Sequence, residues 1–179
     1  ILETEKKNTA PAITLASEYL IESGDPIMLI LPADHVIEDE KKFNKTIDEG
    51  ISIAKSGGLV TFGIKPTSPN TGYGYIKKGC KKKNNSIYEI DEFREKPDKE
   101  TAQQFIESGQ YCWNSGIFLF KASSFLKELK NYYPDIIDNC EITGTSESCP
   151  QSININSKKF SKCRAISIDK SLMEKTKLA

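Results

Sequence analysis

Apolar positions change spacing several times along this chain, and each change marks a predicted element. Residues 9–23 read as a helix. Thr9 is placed to cap it, Pro11 falls in the first turn where a missing N–H does no harm, and Gly24 ends it. Ile27 to Leu31 is a short, wholly apolar run, the pattern of a strand buried on both faces. After the Pro32–His35 loop, Phe43, Ile47, Ile51 and Ala54 recur at helical spacing. They predict a second helix from about Asp39 to Ser56, stopped by Gly57 and Gly58. Leu59 to Gly63 is the next strand. A strand–helix–strand order implies a right-handed crossover and parallel strands.

The second half is less regular. Tyr73–Lys78 and Ile87–Arg94 read as strands joined by a polar Lys/Asn turn, and Lys99–Ser108 as a short helix. Asn114–Phe120 is a strand, and Ala122–Tyr133 an amphipathic helix ended by Pro134. Residues 141–158 are polar and weakly patterned, and Ala165–Ile168 is a last short strand. The expected class is α/β, a mostly parallel mixed sheet flanked by helices.

Composition narrows the function. The 179 residues fit one domain with a real core, and 37% apolar with 28% charged residues describes a soluble globular chain. Formal net charge is zero, so there is no general attraction to nucleic acid or to an anionic membrane. An anionic ligand must be held by locally placed charge. No apolar run is long enough to span a membrane, and no signal peptide is evident. The five cysteines form no C-x-x-C pair and His35 is the only imidazole, so a zinc site is not expected. The odd count suits free thiols in a reducing cytoplasm. The chain opens on Ile1 rather than Met, which suggests an internal piece of a longer polypeptide.

Candidate chemistry gathers in five places. Asp34, in Leu31-Pro32-Ala33-Asp34-His35, follows a predicted strand, where open α/β sheets bind ligands. Its carboxylate suits Mg²⁺, or it caps the following turn; position alone leaves both readings open. His35 reads as a packing or orienting residue. In Asn70-Thr71-Gly72-Tyr73-Gly74-Tyr75-Ile76 two glycines permit close backbone approach to a ligand, or simply make a turn. Phe93-Arg94-Glu95-Lys96-Pro97 puts opposite charges side by side. On a strand they point apart, so Glu95 and Lys96 pair only if the strand twists or ends there. Asn114, in Cys112-Trp113-Asn114-Ser115-Gly116-Ile117-Phe118, can both donate to and accept from sugar hydroxyls, or can serve as a turn residue. Asp169 ends the last predicted strand and would make a two-aspartate site with Asp34 if the strands converge.

Each signal is modest alone. In the order LPADH, TGYGYI, FREKPD, WNSGIF and SIDKSLMEK, however, the chain resembles the sugar-1-phosphate nucleotidylyltransferases. LPADH, WNSGIF and SID followed by MEK are similar to the bacterial mannose-1-phosphate guanylyltransferase branch in particular, as is the opening Ile1-Leu2-Glu3 with Lys7 to Ile13. The resemblance covers essentially the whole chain and implies a Rossmann-like nucleotidyltransferase fold. It implies GTP and mannose 1-phosphate as substrates, Mg²⁺ as cofactor, and GDP-mannose and pyrophosphate as products. By the same resemblance Asn8, Thr9 and Ala10 meet the nucleotide base, and Asp34 and Asp169 bind the metal. Gly74 touches the sugar through its backbone, Glu95 and Lys96 hold sugar hydroxyls and the sugar phosphate, and Asn114 contacts the sugar.

The family's first strand, with a glycine-rich loop that cradles the triphosphate, has no match here, and neither has the C-terminal isomerase domain of the long bacterial enzymes. Residues 1–179 are therefore expected to be a partial domain that is inactive alone. Such a piece would be held by a second copy, by the remainder of a cleaved polypeptide, or by a rearranged edge. Another sugar and base pairing, such as glucose-1-phosphate thymidylyl- or adenylyl transfer, remains an alternative within the class. A catalytically inactive remnant that only binds a sugar nucleotide or a partner is an alternative outside it.

Overall fold

The computed structural model describes residues 1–82, 86–145, 149 and 151–179. They form two compact units, Ile1–Met28 with Lys121–Leu172, and Leu29–Phe120 with Met173–Ala179.

The first unit is mostly helical. α1 (Thr9–Ile21) packs against α4 (Ala122–Tyr132) and α5 (Pro134–Asn139). Its buried face includes Ala10, Ile13 and Leu15, and the helices opposite contribute Phe125, Leu129 and Ile136. Thr14 and Ser17 are also buried on α1, and each hydroxyl donates to the carbonyl four residues earlier, so neither leaves an unmet hydrogen bond. Asn8, not Thr9, caps the helix; its side chain accepts the Thr9 N–H at 2.8 Å. Thr9 instead accepts the Ile168 N–H on its own hydroxyl, at 2.9 Å. Asp25 accepts both the N–H and the hydroxyl of Ser123, in the first turn of α4. These two bonds hold its carboxyl below the usual carboxylate range. Pro134 does not merely stop α4 but opens α5, where its fixed φ suits the first helical position.

The weakly patterned stretch contains a hairpin, β6 (Ile142–Thr145) with β7 (Ile153–Ile155), and a short helix α6 (Ser157–Phe160). Residues 146–148 and 150 of that stretch lie outside the described residues. The strand expected at Ala165–Ile168 is not one. Ile166 exchanges backbone bonds with Lys7 and Ala10 at 3.1 Å each, but the segment passes at once into a π-helical turn, Asp169–Met173. One residue's pair of bonds is not a ladder.

The second unit is built on a sheet. β1 (Ile27–Ile30) begins in the first unit and enters a five-stranded sheet of order β1-β5-β3-β4, with β2 also paired to β5. The other strands are β2 (Val60–Ile64), β3 (Tyr75–Lys81), β4 (Tyr88–Arg94) and β5 (Tyr111–Lys121). The Lys/Asn turn expected between β3 and β4 falls on residues 83–85, outside the described residues. α2 (Glu40–Lys55) packs on β2, and α3 (Lys99–Ser108) follows β4.

The pairings β2–β5, β3–β4 and β3–β5 are all antiparallel, which corrects the expectation of a mostly parallel sheet. Trp113 pairs with Ile64 on β2 and with Tyr75 on β3, so β5 runs between those strands. The crossover argument assumed that β2 would lie beside β1; a long strand arriving later in sequence takes the place next to β2 instead. β1 is not buried on both faces either, since Leu29 is exposed. An apolar run permits burial on both faces, but the partners decide whether it occurs.

Tyr111 gives this unit a measurable titration. It stacks on Phe105 at 3.9 Å and donates to Glu92 at 2.8 Å. Burial, then the Glu92 carboxylate, pushes its pKa up to about 12. A raised pKa means that the folded state holds the proton more tightly. The resulting stabilisation is complete below the unfolded pKa of about 10 and disappears as pH rises towards about 12. Absorbance titration at 295 nm is expected to show a late-ionising tyrosine that Tyr111→Phe removes. A Tyr111→Phe curve identical to wild type refutes the assignment.

Candidate sugar-phosphate site

The second unit brings four of the predicted residues together. β4 ends at Arg94, and the chain turns at Lys96, whose φ is 46°. A non-glycine residue with positive φ is strained, and the residue before a proline prefers extended backbone. Such strain persists where surrounding contacts enforce it, and it gathers at functional sites. Here the turn lets adjacent residues pair: Lys96 Nζ lies 3.5 Å from Glu95 Oε1. The Glu95 side chain is only 10% exposed, whereas that of Lys96 is 62% exposed. The carboxylate is thus fixed and the ammonium can reach outward. Glu174 holds the turn from the other side by accepting the Glu95 N–H at 2.9 Å.

Gly74 sits directly against this carboxylate. A Cβ there would lie 2.6 Å from Glu95 Oε2 and 3.4 Å from the Asn114 Cβ. The Asn114 N–H donates to the Gly74 carbonyl at 2.7 Å. Gly74, Glu95, Lys96 and Asn114 therefore form one polar cluster at the ends of β3, β4 and β5. A second-row neighbour, Thr61 on β2, donates towards Asn114 Oδ1 at 2.9 Å. Sequence reading missed Thr61; its one signal is a hydroxyl in an otherwise apolar strand.

Asp34 lies in the exposed turn after β1. The preceding Pro32 ring would be 3.4 Å from a Cβ on Gly116, which places this turn beside the start of β5. His35 is exposed, not packed.

The remaining predicted residues lie in the first unit. Asn8 and Thr9 are exposed at the start of α1, with Ala10 buried behind them. Bonds from Ala10 N to Ile166 O and from Ile168 N to Thr9 Oγ1 bring this segment beside Asp169 in sequence. Asp169 opens the π-helical turn and is half-buried. Among the described residues no group of three or more His, Cys, Asp or Glu is placed to hold a metal. No helix among them is long and apolar enough to cross a membrane.

Comparison with known proteins places this arrangement. The chain is 46% identical to a mannose-1-phosphate guanylyltransferase of Escherichia coli over 99% of its own length, which is 40% of that relative. It is 44% identical to the xanthan biosynthesis protein XanB of Xanthomonas campestris over 98% of its length and 38% of the relative. It thus spans about two fifths of the curated relatives it matches. A solved structure of mannose-6-phosphate isomerase from Helicobacter pylori superposes with a TM-score of 0.86 at 32% identity, covering 99% of this chain and 68% of that one. The expected nucleotidyltransferase fold is therefore correct in its layers, apart from the direction of the strands. The model of the family described as nucleotidyl transferase matches residues 1–156, and the chain belongs to that family.

Proposed function

We propose that the polypeptide containing this chain transfers GMP from GTP to mannose 1-phosphate, giving GDP-mannose and pyrophosphate. The observation that carries this reading is the cluster of Gly74, Glu95, Lys96 and Asn114, from three separate segments of the chain, in one polar site. The identity to mannose-1-phosphate guanylyltransferases supports the choice of sugar and base. The xanthan relative supports a role in polysaccharide biosynthesis.

In this reading a sugar phosphate oxygen attacks the α-phosphorus in line and pyrophosphate leaves. The attacking oxygen is already anionic, so no side chain need act as nucleophile or base. The protein supplies position and charge. Lys96 holds the sugar phosphate, while Glu95, Asn114 and the Gly74 backbone hold the sugar. Asn8, Thr9 and Ala10 lie against the guanine. Asp34 and Asp169 are the ligands we assign to Mg²⁺. Two hard carboxylates fit that ion, which commonly takes one or two carboxylates and completes its shell with water and phosphate oxygens. When bound, Mg²⁺ supplies neutralising charge at the triphosphate. The free cysteines fit a cytoplasmic location.

The test is pyrophosphate release by the full-length polypeptide with GTP saturating and mannose 1-phosphate varied. Glu95→Gln and Asn114→Ala are each expected to weaken use of the sugar phosphate by about 1–2 kcal/mol, roughly tenfold, because each removes a hydrogen-bond partner from a polar site. Unchanged sugar-phosphate kinetics in both variants would refute the sugar site. Preference for ATP or TTP with glucose 1-phosphate would refute the substrate pair.

A further inference from the structure

We infer that Thr61 is a positioning residue that helps set the orientation of the Asn114 amide in the sugar site; this rests on reading Gly74, Glu95, Lys96 and Asn114 as that site. The register between β2 and β5 is regular at Val60↔Leu119 and Thr61↔Phe118, then resumes at Gly63↔Asn114. Two steps on β2 therefore match four on β5, so β5 carries the extra residues of a bulge. Gly116 lies within it at φ 72°, a conformation that disfavours other residues. Bulges re-aim side chains next to sites. Here the bulge brings the Asn114 side chain against β2.

Thr61 Oγ1 is 2.9 Å from Asn114 Oδ1 and 3.0 Å from the Ile117 carbonyl, inside the bulge. The Gly116 N–H approaches the same Oδ1 at 3.3 Å. A peptide N–H can only donate, so the amide end facing the bulge must be the oxygen. The Thr61 hydroxyl has one proton, shared between two acceptors, Oδ1 and the Ile117 carbonyl, and its share to Oδ1 reinforces that choice. With Oδ1 held by the bulge, the orientation of the amide is set by β2 and β5 together. Loss of the Thr61 hydroxyl removes one of the two groups that hold it.

The experiment uses the full-length polypeptide. Thr61→Val keeps shape and removes the hydroxyl; Thr61→Ser restores it. Thr61→Val is expected to raise KM for mannose 1-phosphate about tenfold with kcat little changed, and Thr61→Ser to return it near wild type. In an Asn114→Ala background, Thr61→Val should add nothing. Independently of any sugar, the ¹⁵N side-chain amide signals of Asn114, assigned by their absence in Asn114→Ala, should shift in Thr61→Val and not in Thr61→Ser. Unmoved amide signals in Thr61→Val overturn the proposal, as does a KM rise that persists in the Asn114→Ala background. If wild type does not use mannose 1-phosphate, the substrate reading fails, and the amide signals alone decide the role of Thr61.

Discussion

Asp34→Asn and Asp169→Asn should each lower kcat by about 10²–10³-fold and raise the Mg²⁺ concentration needed for turnover. The substitution keeps the shape of each side chain and removes one negative charge. An amide oxygen remains as a weaker donor, so the ion's affinity falls before its geometry does. Asp34 is exposed in a turn after β1, where its carboxylate has no packing role to lose. A folding defect is therefore not the expected cause of a loss at Asp34. Asp169 opens a π-helical turn, so its variant needs a check on folding by circular dichroism. The measurement is initial rate against Mg²⁺ at saturating GTP and mannose 1-phosphate. Wild-type rates at the wild-type Mg²⁺ requirement in the Asp34 variant would remove it from the metal site.

Gly74→Ala should cost about 100-fold in kcat/KM for the sugar phosphate and leave GTP affinity nearly unchanged. The new methyl carbon would stand 2.6 Å from Glu95 Oε2, well inside contact distance. The carboxylate end of a side chain can move, but Glu95 is almost fully buried and its backbone N–H is held by Glu174. Relief therefore comes from shifting the carboxylate by about 1 Å, and a misplacement of that size is typically worth about 10²-fold in a positioned reaction. Thermal stability should fall only slightly, because Gly74 has an ordinary backbone conformation and the clash is with one side-chain end. Unaltered sugar-phosphate kinetics in a folded Gly74→Ala protein would mean that Glu95 does not meet the sugar.

Much of the local structure was legible because it depends on near neighbours. Lys99–Ser108 is a helix at the predicted bounds, capped by Asp98 through the Thr101 N–H. α2 begins after Asp39, which caps it in the same way. Its apolar positions at helical spacing gave it away, as the short apolar runs did for β1 and β2. The adjacency of Glu95 and Lys96 also carried a correct conditional: they pair because the strand ends at Arg94 and the backbone turns at Lys96. The hairpin β6–β7 was hidden because its strands are only four and three residues long, too short for an alternation to stand out.

By itself, then, the sequence determined the four longer helices α1 to α4, the approximate positions of β1 to β5, the family and the residue types of the candidate site. Those follow from propensity, capping, apolar spacing and motif order, all of which act over a few residues. Only the tertiary structure decided that β5 lies between β2 and β3 and runs antiparallel to both. It also decided that Thr61, fifty-three positions away, stands against Asn114 across a bulge. Strand order and register come from which long-range pairs form, and each such pair joins segments whose own patterns are satisfied by several partners. The bulge at Gly116 adds residues to one strand only, so no count of alternating positions along β5 could have shown which neighbour its asparagine would meet.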